Sequence, residues 1–450
     1  MNKASIRLAW RTLGLCLLIP GSLWAQEATK VMDLPVQTLV TGSSHANQSS
    51  TAPQLPGEKV GLPDLLQVAL ARNPGIKSAA ERFEAQRARV PQARSLPDPT
   101  VSGGWMGNIS PFSVQRGDPS SYRGLNVAED FPYPGKLKLR GQIADREAEA
   151  AWWDYEQVRR QVVADVKTAY YNYFYYTKAI EITEKDKDLL QKMESIAEAL
   201  YKVGKGLQQD VLRAQVEVSR VNQRLIVLRQ QEYTARVRLN TLLDQDPESL
   251  LAPPAPFTPA EFHNTLDDLY AMARQNDPGL ERDRRMVEGS RYAVNLAQKA
   301  YDPDFSVAYT YLQRPSLPDM HGFTVGINIP IFYRTKQRQG VIEASHNLTS
   351  ARRDLDNRLT TVNFEIKQQY LAATASRDLL DLYSKAIVPQ SSLALESSMS
   401  AYGVGKLDFL SMLTNFTTVL DYEVSYYQEL SNYQIALTGL EPLVGVELTK

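Results

Sequence analysis

The chain has 450 residues, 50 basic against 51 acidic side chains for a formal net charge of −1, and one cysteine. That balance argues against nucleic acid as a partner, and a lone cysteine excludes a disulfide framework. Beyond the N-terminal leader, no segment reaches the roughly 18 consecutive apolar residues of a membrane-spanning helix.

Lys3, Arg7 and Arg11 precede an apolar stretch, Leu13 to Ile19, which Pro20-Gly21 closes; Leu23-Trp24-Ala25 offers a cleavage point before Gln26. This is the pattern of a secretory signal peptide over residues 1–25. Cys16 lies inside the apolar stretch, behind Leu15, where a lipoprotein signal needs a small residue. Cleavage removes three positive charges and no negative ones, taking the net charge from −1 to −4 and leaving no thiol. Residues 26–60, rich in Pro, Ser and Thr, read as an extended or disordered lead-in.

From there the chain repeats itself, as residues 61–260 and 261–450. At an offset of 204, Pro74-Gly75 falls on Pro278-Gly279 and Asp98-Pro99 on Asp302-Pro303. At an offset of 201, Tyr201 to Lys205 falls on Tyr402 to Lys406. A unit of this length is too long for a solenoid repeat, so the halves are duplicates within one pseudo-dimeric chain.

In the first half a short helical stretch is followed by two segments of period two, within about 100–131. Val101, Gly103 and Trp105 alternate with Thr100, Ser102, Gly104 and Met106; Leu125, Val127 and Phe131 alternate with Gly124, Asn126 and Ala128. A long helix is then expected over 137–201, where apolar or aromatic positions recur at helical spacing from Ala144 to Ile180. After a glycine turn a second helix, 208–244, carries a heptad seam through Val211, Ala214, Val218, Val221, Leu225, Leu228, Ala235, Leu239 and Leu242.

The second half repeats this with strands within about 304–330 and long helices over 335–401 and 408–440. Phe305, Val307, Tyr309 and Tyr311 alternate with small or polar residues, as do Phe323, Val325, Ile327 and Ile329. The expected seam of the last helix is more polar, running through Met412, Asn415, Val419, Tyr422, Tyr426, Glu429, Tyr433, Ala436, Leu440 and Leu443.

Long amphipathic hairpins alone would make a soluble coiled-coil rod. The strands argue otherwise, because one face is apolar and aromatic and the other small and polar, as for lipid outside and water inside. Four strands cannot close a transmembrane barrel, and open edges are not tolerated in lipid, so closure must come from other copies of the chain. The strand loops, Asn108 to Ser121 and Gln313 to His321, would then face outward from the cell.

The duplicated order of short helix, strand hairpin and long helical hairpin is similar to that of the TolC-type outer-membrane efflux protein family, from about Leu62 to Leu443. The motifs that carry the resemblance are Asn73-Pro74-Gly75 with Asp277-Pro278-Gly279, Pro97-Asp98-Pro99 with Asp302-Pro303-Asp304, and Tyr-x-x-Gly with a leucine eight residues after the glycine (Gly204 to Leu212, Gly405 to Leu413). The resemblance implies a mainly α fold with a small β part. In it, duplicated helical hairpins form a trimeric α-barrel, continued by a 12-stranded β-barrel with four strands from each chain. It implies a homotrimer in the outer membrane of a Gram-negative bacterium, extending into the periplasm. It further implies docking of a periplasmic membrane-fusion (adaptor) protein and an inner-membrane pump of the RND type, and an exit duct for small solutes.

By the same resemblance, Gly204, Lys205, Leu207, Leu212, Gly405, Lys406, Leu407 and Leu413 lie at the adaptor-docking tips. Acidic residues just beyond the tip glycine narrow the periplasmic entrance in the family. Asp210 matches that position, its counterpart Ser411 departs from it, and Asp408 stands nearby in another helical phase. The run Pro134 to Arg140 resembles the cobalt-zinc-cadmium and copper branch, which points to metal ions ahead of drugs or solvents as cargo. The duct of a type I protein-secretion system would look alike at this level.

No catalytic, cofactor or metal site is read. His45, His263, His321 and His346 form no ligand pair at helical spacing and no HExxH motif, and Gly403-Val404-Gly405-Lys406 lacks the rest of a phosphate-binding loop. The aromatic run Tyr170, Tyr171, Tyr173, Phe174, Tyr175 and Tyr176 covers every side of its helix. It is expected to pack that helix against the short helices rather than to hold a ligand.

Overall fold

The computed structural model describes residues 59–107, 114 and 116–449. The expected leader and nearly all of the lead-in, with Cys16 and His45, lie outside the described residues, as does most of the tip of the first strand loop.

In chain order the elements are α1 (Leu62–Arg72), α2 (Pro74–Arg94), β1 (Thr100–Met106), β2 (Tyr122–Phe131), α3 (Lys136–Lys202) and α4 (Gln208–Leu242). Then follow α5 (Leu266–Asn276), α6 (Pro278–Lys299), β3 (Asp304–Gln313), β4 (Met320–Asn328), α7 (Gln337–Leu382), a π-helical turn (Tyr383–Ile387), α8 (Val388–Gly403) and α9 (Phe409–Val444). Two short helices, two strands and a long helical hairpin therefore occur twice.

The Asn-Pro-Gly and Asp-Pro-Gly motifs start the second short helix of each half. Asn73 caps α2 by accepting from the N–H of Gly75 at 2.9 Å and of Ile76 at 3.3 Å, and Asp277 caps α6 by accepting from Leu280 N–H at 2.7 Å. The proline that follows sits where a helix has no use for its missing donor. Both caps also tether a long helix: Asn73 donates to the Leu242 carbonyl at the end of α4, and Asp277 receives Arg358 of α7 at 3.3 Å.

α3, 67 residues and about 100 Å of helix, is the backbone of the layer. Near its start it packs against α2 and α6, and α6 packs against α7; further along it packs against α4 and α9, and α9 against α7 and α8. The layer is thus four helices wide at both levels. Only α3 and the α7–α8 strut run through both; α2 gives way to α4, and α6 to α9. Buried side chains of α3, α4, α8 and α9, among them Leu190, Met193, Ala214, Leu225, Leu395, Phe409 and Phe416, fill the level farther from the strands.

The heptad seam of α4 faces α3, with Ala214, Val221, Leu225, Leu228, Ala235, Leu239 and Leu242 all buried. The seam expected on α9 is incomplete: Asn415, Tyr422, Tyr426 and Glu429 are only half-buried, while Phe409, Phe416, Leu420, Val424, Leu430 and Leu437 are fully buried. α9 lies between α3 and α7–α8, so it buries two faces where a single 3,4 seam describes one. The single helix expected over 335–401 is also interrupted, by the π-helical turn. Pro389 has no N–H to donate and its ring crowds the preceding turn; the chain widens there, and Val388 N–H bonds to the Tyr383 carbonyl five residues back.

The aromatic run of α3 packs mostly against the connector between the halves. The Tyr170 hydroxyl donates to the Ala255 carbonyl at 3.0 Å, the Tyr173 hydroxyl reaches the Leu251 carbonyl at 3.4 Å, and Phe174 packs on Phe257 with ring centroids 4.4 Å apart. Burial pushes the Tyr170 and Tyr173 phenols up to about 12. The short helix α1 contributes Leu65 and Ala69 to the same core. Nearby, Lys167, 1% exposed, pairs with Glu441 at 2.7 Å. The other Glu441 oxygen accepts from the N–H groups of Leu448 and Thr449, fastening the C-terminal segment to α3.

The strands form one antiparallel sheet in the order β1-β2-β3-β4, leaving β1 and β4 as edges. Pairings such as Val101 with Val127, Val127 with Tyr309, and Tyr309 with Phe323 put all the odd-numbered strand residues on one face. That face is uncovered in the chain, with Val101 and Phe323 more than two-thirds exposed. The opposite face carries Ser102, Asn126, Thr310, Thr324 and glycines, with Thr310 Oγ1 donating to Asn126 Oδ1 at 2.9 Å. At the foot of the sheet Lys136, buried, pairs with Asp304 at 2.8 Å and donates to the Asp302 carbonyl, pinning α3 to β3.

Candidate functional site

Each long hairpin turns over the same three-dimensional motif. The N–H of Gly204 bonds to the Tyr201 carbonyl and that of Lys205 to the Leu200 carbonyl; the N–H of Gly405 bonds to the Tyr402 carbonyl and that of Lys406 to the Ala401 carbonyl. This is the helix-ending arrangement that requires a left-handed residue. Gly204 has φ 74° and Gly405 φ 73°. A side chain there would meet no neighbour, so the glycines are needed for backbone conformation and not for space.

The two turns differ in what they expose. Leu212 is 53% exposed, whereas its counterpart Leu413 is 7% exposed and packs in the core between helices. Leu207 and both lysines, Lys205 and Lys406, are exposed, while Leu407 is half-buried against the same core. The difference follows from position in the layer: α4 is at its edge and α9 is inside it. Leu413 is therefore not available as a surface contact, which corrects its grouping with the tip residues; the others are at or near the surface.

The three entrance candidates do not form one group. Asp408 caps α9, its carboxylate accepting from the Ser411 N–H at 2.9 Å and the Ser411 hydroxyl at 2.7 Å. These hydrogen bonds, the hydroxyl's first, hold the Asp408 carboxyl below its ordinary range. Ser411 thus departs from an acidic residue because it completes a cap. Asp210 stands in the uncapped first turn of α4, where a carboxylate is favoured by the helix dipole. Its charge is felt by Tyr402 of the other hairpin, whose phenol is raised by burial and then by Asp210. Tyr402 also packs edge-on against Phe409, ring centroids 5.6 Å apart. In the sequence this tyrosine is only a motif letter; its counterpart Tyr201 is exposed, and nothing local distinguishes the two.

Among the described residues no group of three or more His, Cys, Asp or Glu side chains could hold a metal ion, and no helix is long and apolar enough to cross a membrane.

Residues 65–245 match the model of the family described as outer membrane efflux protein. The chain is 24% identical to the solvent efflux pump outer membrane protein SrpC of Pseudomonas putida, over 94% of this chain and 93% of that one. It is equally similar to the toluene efflux pump outer membrane protein TtgI of the same species. Among solved structures, it superposes on the outer membrane protein VceC of Vibrio cholerae with a TM-score of 0.73 at 18% identity, covering 86% of this chain and 97% of the other.

Proposed function

We propose that the chain is an outer membrane efflux protein, the family whose model residues 65–245 match, and that it is the outer-membrane exit duct of a tripartite efflux system. The observation that carries this reading is the sheet. It has two open edges and an uncovered apolar face, and backbone edges of that kind survive in lipid only when closed into a barrel. Three copies close it with twelve strands, and the four-helix layer of each copy contributes to a twelve-helix tunnel below. The strand loops then face the exterior, and the Gly204 and Gly405 turns lie at the periplasmic end, where an adaptor and an RND-type inner-membrane pump engage the exposed Lys205, Leu207, Leu212 and Lys406.

The work of such a duct is passive. Its small, polar inner strand face admits water, and energy comes from the partner pump. Three copies of Asp210 around one axis would focus a negative potential at the entrance and favour cations. The cargo is a small solute. The Pro134 to Arg140 run supports metal ions, and the names of the two Pseudomonas relatives support organic solvents.

The test is a strain lacking the gene, complemented with the full chain and challenged separately with toluene and with cadmium or copper salts. Complementation should restore growth against one class and the protein should fractionate with the outer membrane; recovery of the protein in the soluble periplasm would overturn the duct. Gly204→Val with Gly405→Val, each costing ~1–2 kcal/mol in a left-handed position, should abolish export while leaving membrane insertion intact. Unchanged export would remove tip docking, and unchanged cation selectivity of Asp210→Asn in planar bilayers would remove the entrance role.

A further inference from the structure

The odd-numbered face of the sheet is apolar but not uniform. Apart from His321, its titratable charges are Arg123 and Glu129, toward opposite ends of β2. Arg123 stands in a row close to the strand loops, paired with Trp105 of β1 and Gln313 of β3. From Arg123 to Phe131 at the foot runs about 26 Å of strand, or roughly 19 Å of depth at a 45° tilt. With the sheet in a bilayer, Arg123 lies at the outer margin of the apolar band, where a cation costs little.

Beside Arg123 the face is notched. Gly103 of β1 lies on it between Val101 and Trp105, and Trp105, Leu125, Tyr311 and Gln313 wall a groove of about 500 Å³ around it. A side chain added at Gly103 would meet nothing closer than Leu125 Cδ2, at 3.5 Å, so the sheet itself does not require glycine there. Glycine inside a strand weakens it and recurs where a ligand approaches closely. On this face β3 and β4 carry neither glycine nor arginine, so the notch and its cation come from the first hairpin.

The strand loops beside the groove do not neutralise that cation. The Gly117 N–H bonds to the Pro315 carbonyl at 3.2 Å, so the two loops meet. Their carboxylates are engaged by neutral donors: Asp118 by the Ser120 N–H at 2.9 Å and the Ser121 hydroxyl at 2.7 Å, and Asp319 by the Tyr311 hydroxyl at 2.7 Å. Arg314 donates to the Pro318 carbonyl at 2.7 Å. Among the described residues, Arg116, Arg123 and Arg314 have no carboxylate partner.

We propose that the groove seats an acyl chain of a phosphorylated lipid of the outer leaflet, with its phosphate held by Arg123. The apolar walls and the glycine floor accept the chain, and a guanidinium matches the oxygens of a phosphate two at a time. Trp105 and Tyr311 stand at the depth where aromatic rings meet headgroups. A zwitterionic headgroup brings its own cation and gains less from the positive loops; a headgroup with uncompensated phosphates gains most. The inference rests on the duct reading for the bilayer and for the side on which the loops emerge.

Native mass spectrometry of the detergent-solubilised full chain tests it, with diphosphoryl lipid A and phosphatidylethanolamine as the two probes. Lipid A should bind about tenfold more tightly, and Arg123→Gln should remove that preference, as loss of a hydrogen-bonded charge does. Gly103→Leu, which fills the groove, should weaken lipid A binding while the protein still sediments with the outer membrane. Millimolar inorganic phosphate should not displace the lipid. Equal binding of the two lipids, an unchanged preference in Arg123→Gln, unchanged binding in Gly103→Leu, or displacement by phosphate alone would each overturn the lipid seat. Any of these in a protein that still sediments with the outer membrane would leave the duct reading standing; recovery of the unsubstituted protein in the soluble fraction would overturn both.

Discussion

At the scale of single residues, the pair Lys167–Glu441 shows how a long-helix protein fixes its ends. Both side chains are out of water and all the oxygens of Glu441 are used, so the geometry recovers the desolvation cost only while both partners are present. Lys167→Met should destabilise the protein by about 3–5 kcal/mol, because it leaves a buried carboxylate without its cation. Adding Glu441→Gln should restore more than half of that loss, since a neutral amide oxygen still accepts from Leu448 and Thr449. Urea unfolding of the detergent-solubilised chain measures both; equal losses in the single and double variants would show that the charge is not the issue. Nothing local in the sequence announces this pair. Its members are 274 positions apart, and a lysine on an amphipathic helix reads as a solvated one. Gly204 and Gly405 were legible for the opposite reason: the bonds that need them span only five residues.

At the scale of elements, the strands were legible because a period of two is local, and the registers show that its apolar set forms one continuous face across four strands. If lipid covers that face, its central positions should reject charge and the other face should accept it. Val325→Lys should cost about 2–4 kcal/mol in folding from bilayers, while Thr324→Lys, one residue away, should cost much less. Similar costs for the two would mean that lipid does not cover the odd-numbered face. The interruption of the second long helix was only half legible. Pro389 is visible in the sequence, but whether a helix stops, kinks or widens at a proline depends on what its neighbours can fill, and here α3 and α9 leave room for a wider turn. The seam of α9 was misread for a related reason: periodicity reports that a helix has an apolar face, not how many neighbours it will have.

At the scale of the whole molecule, the chain covers one of its two helix–strand junctions and leaves the other bare. Tyr133, entering α3, lies near Phe305 with ring centroids 6.4 Å apart and sits beneath the Lys299 ammonium at 5.1 Å. The corresponding Ile331 and Phe332, entering α7, are 69% and 70% exposed. If copies of the chain assemble side by side as proposed, the exposed α2–β1 junction of a neighbouring copy would cover them, since it is equivalent to the α6–β3 junction that Tyr133 meets. Light scattering in detergent should find three copies, and Phe332→Ser should raise the smaller species by weakening each interface by about 2 kcal/mol, as loss of a buried aromatic anchor does. An undisturbed trimer would place Phe332 against lipid or solvent instead. The π-helical turn has a mechanical consequence at this scale. Between Ile387 and the Gly405 turn runs about 27 Å of helix, a rigid arm fixed to a soft joint. A tilt of roughly 10° at the joint carries the far end about 5 Å, close to one helical pitch. A tilt of that size would therefore change the reach of the arm by enough to re-register whatever holds its end.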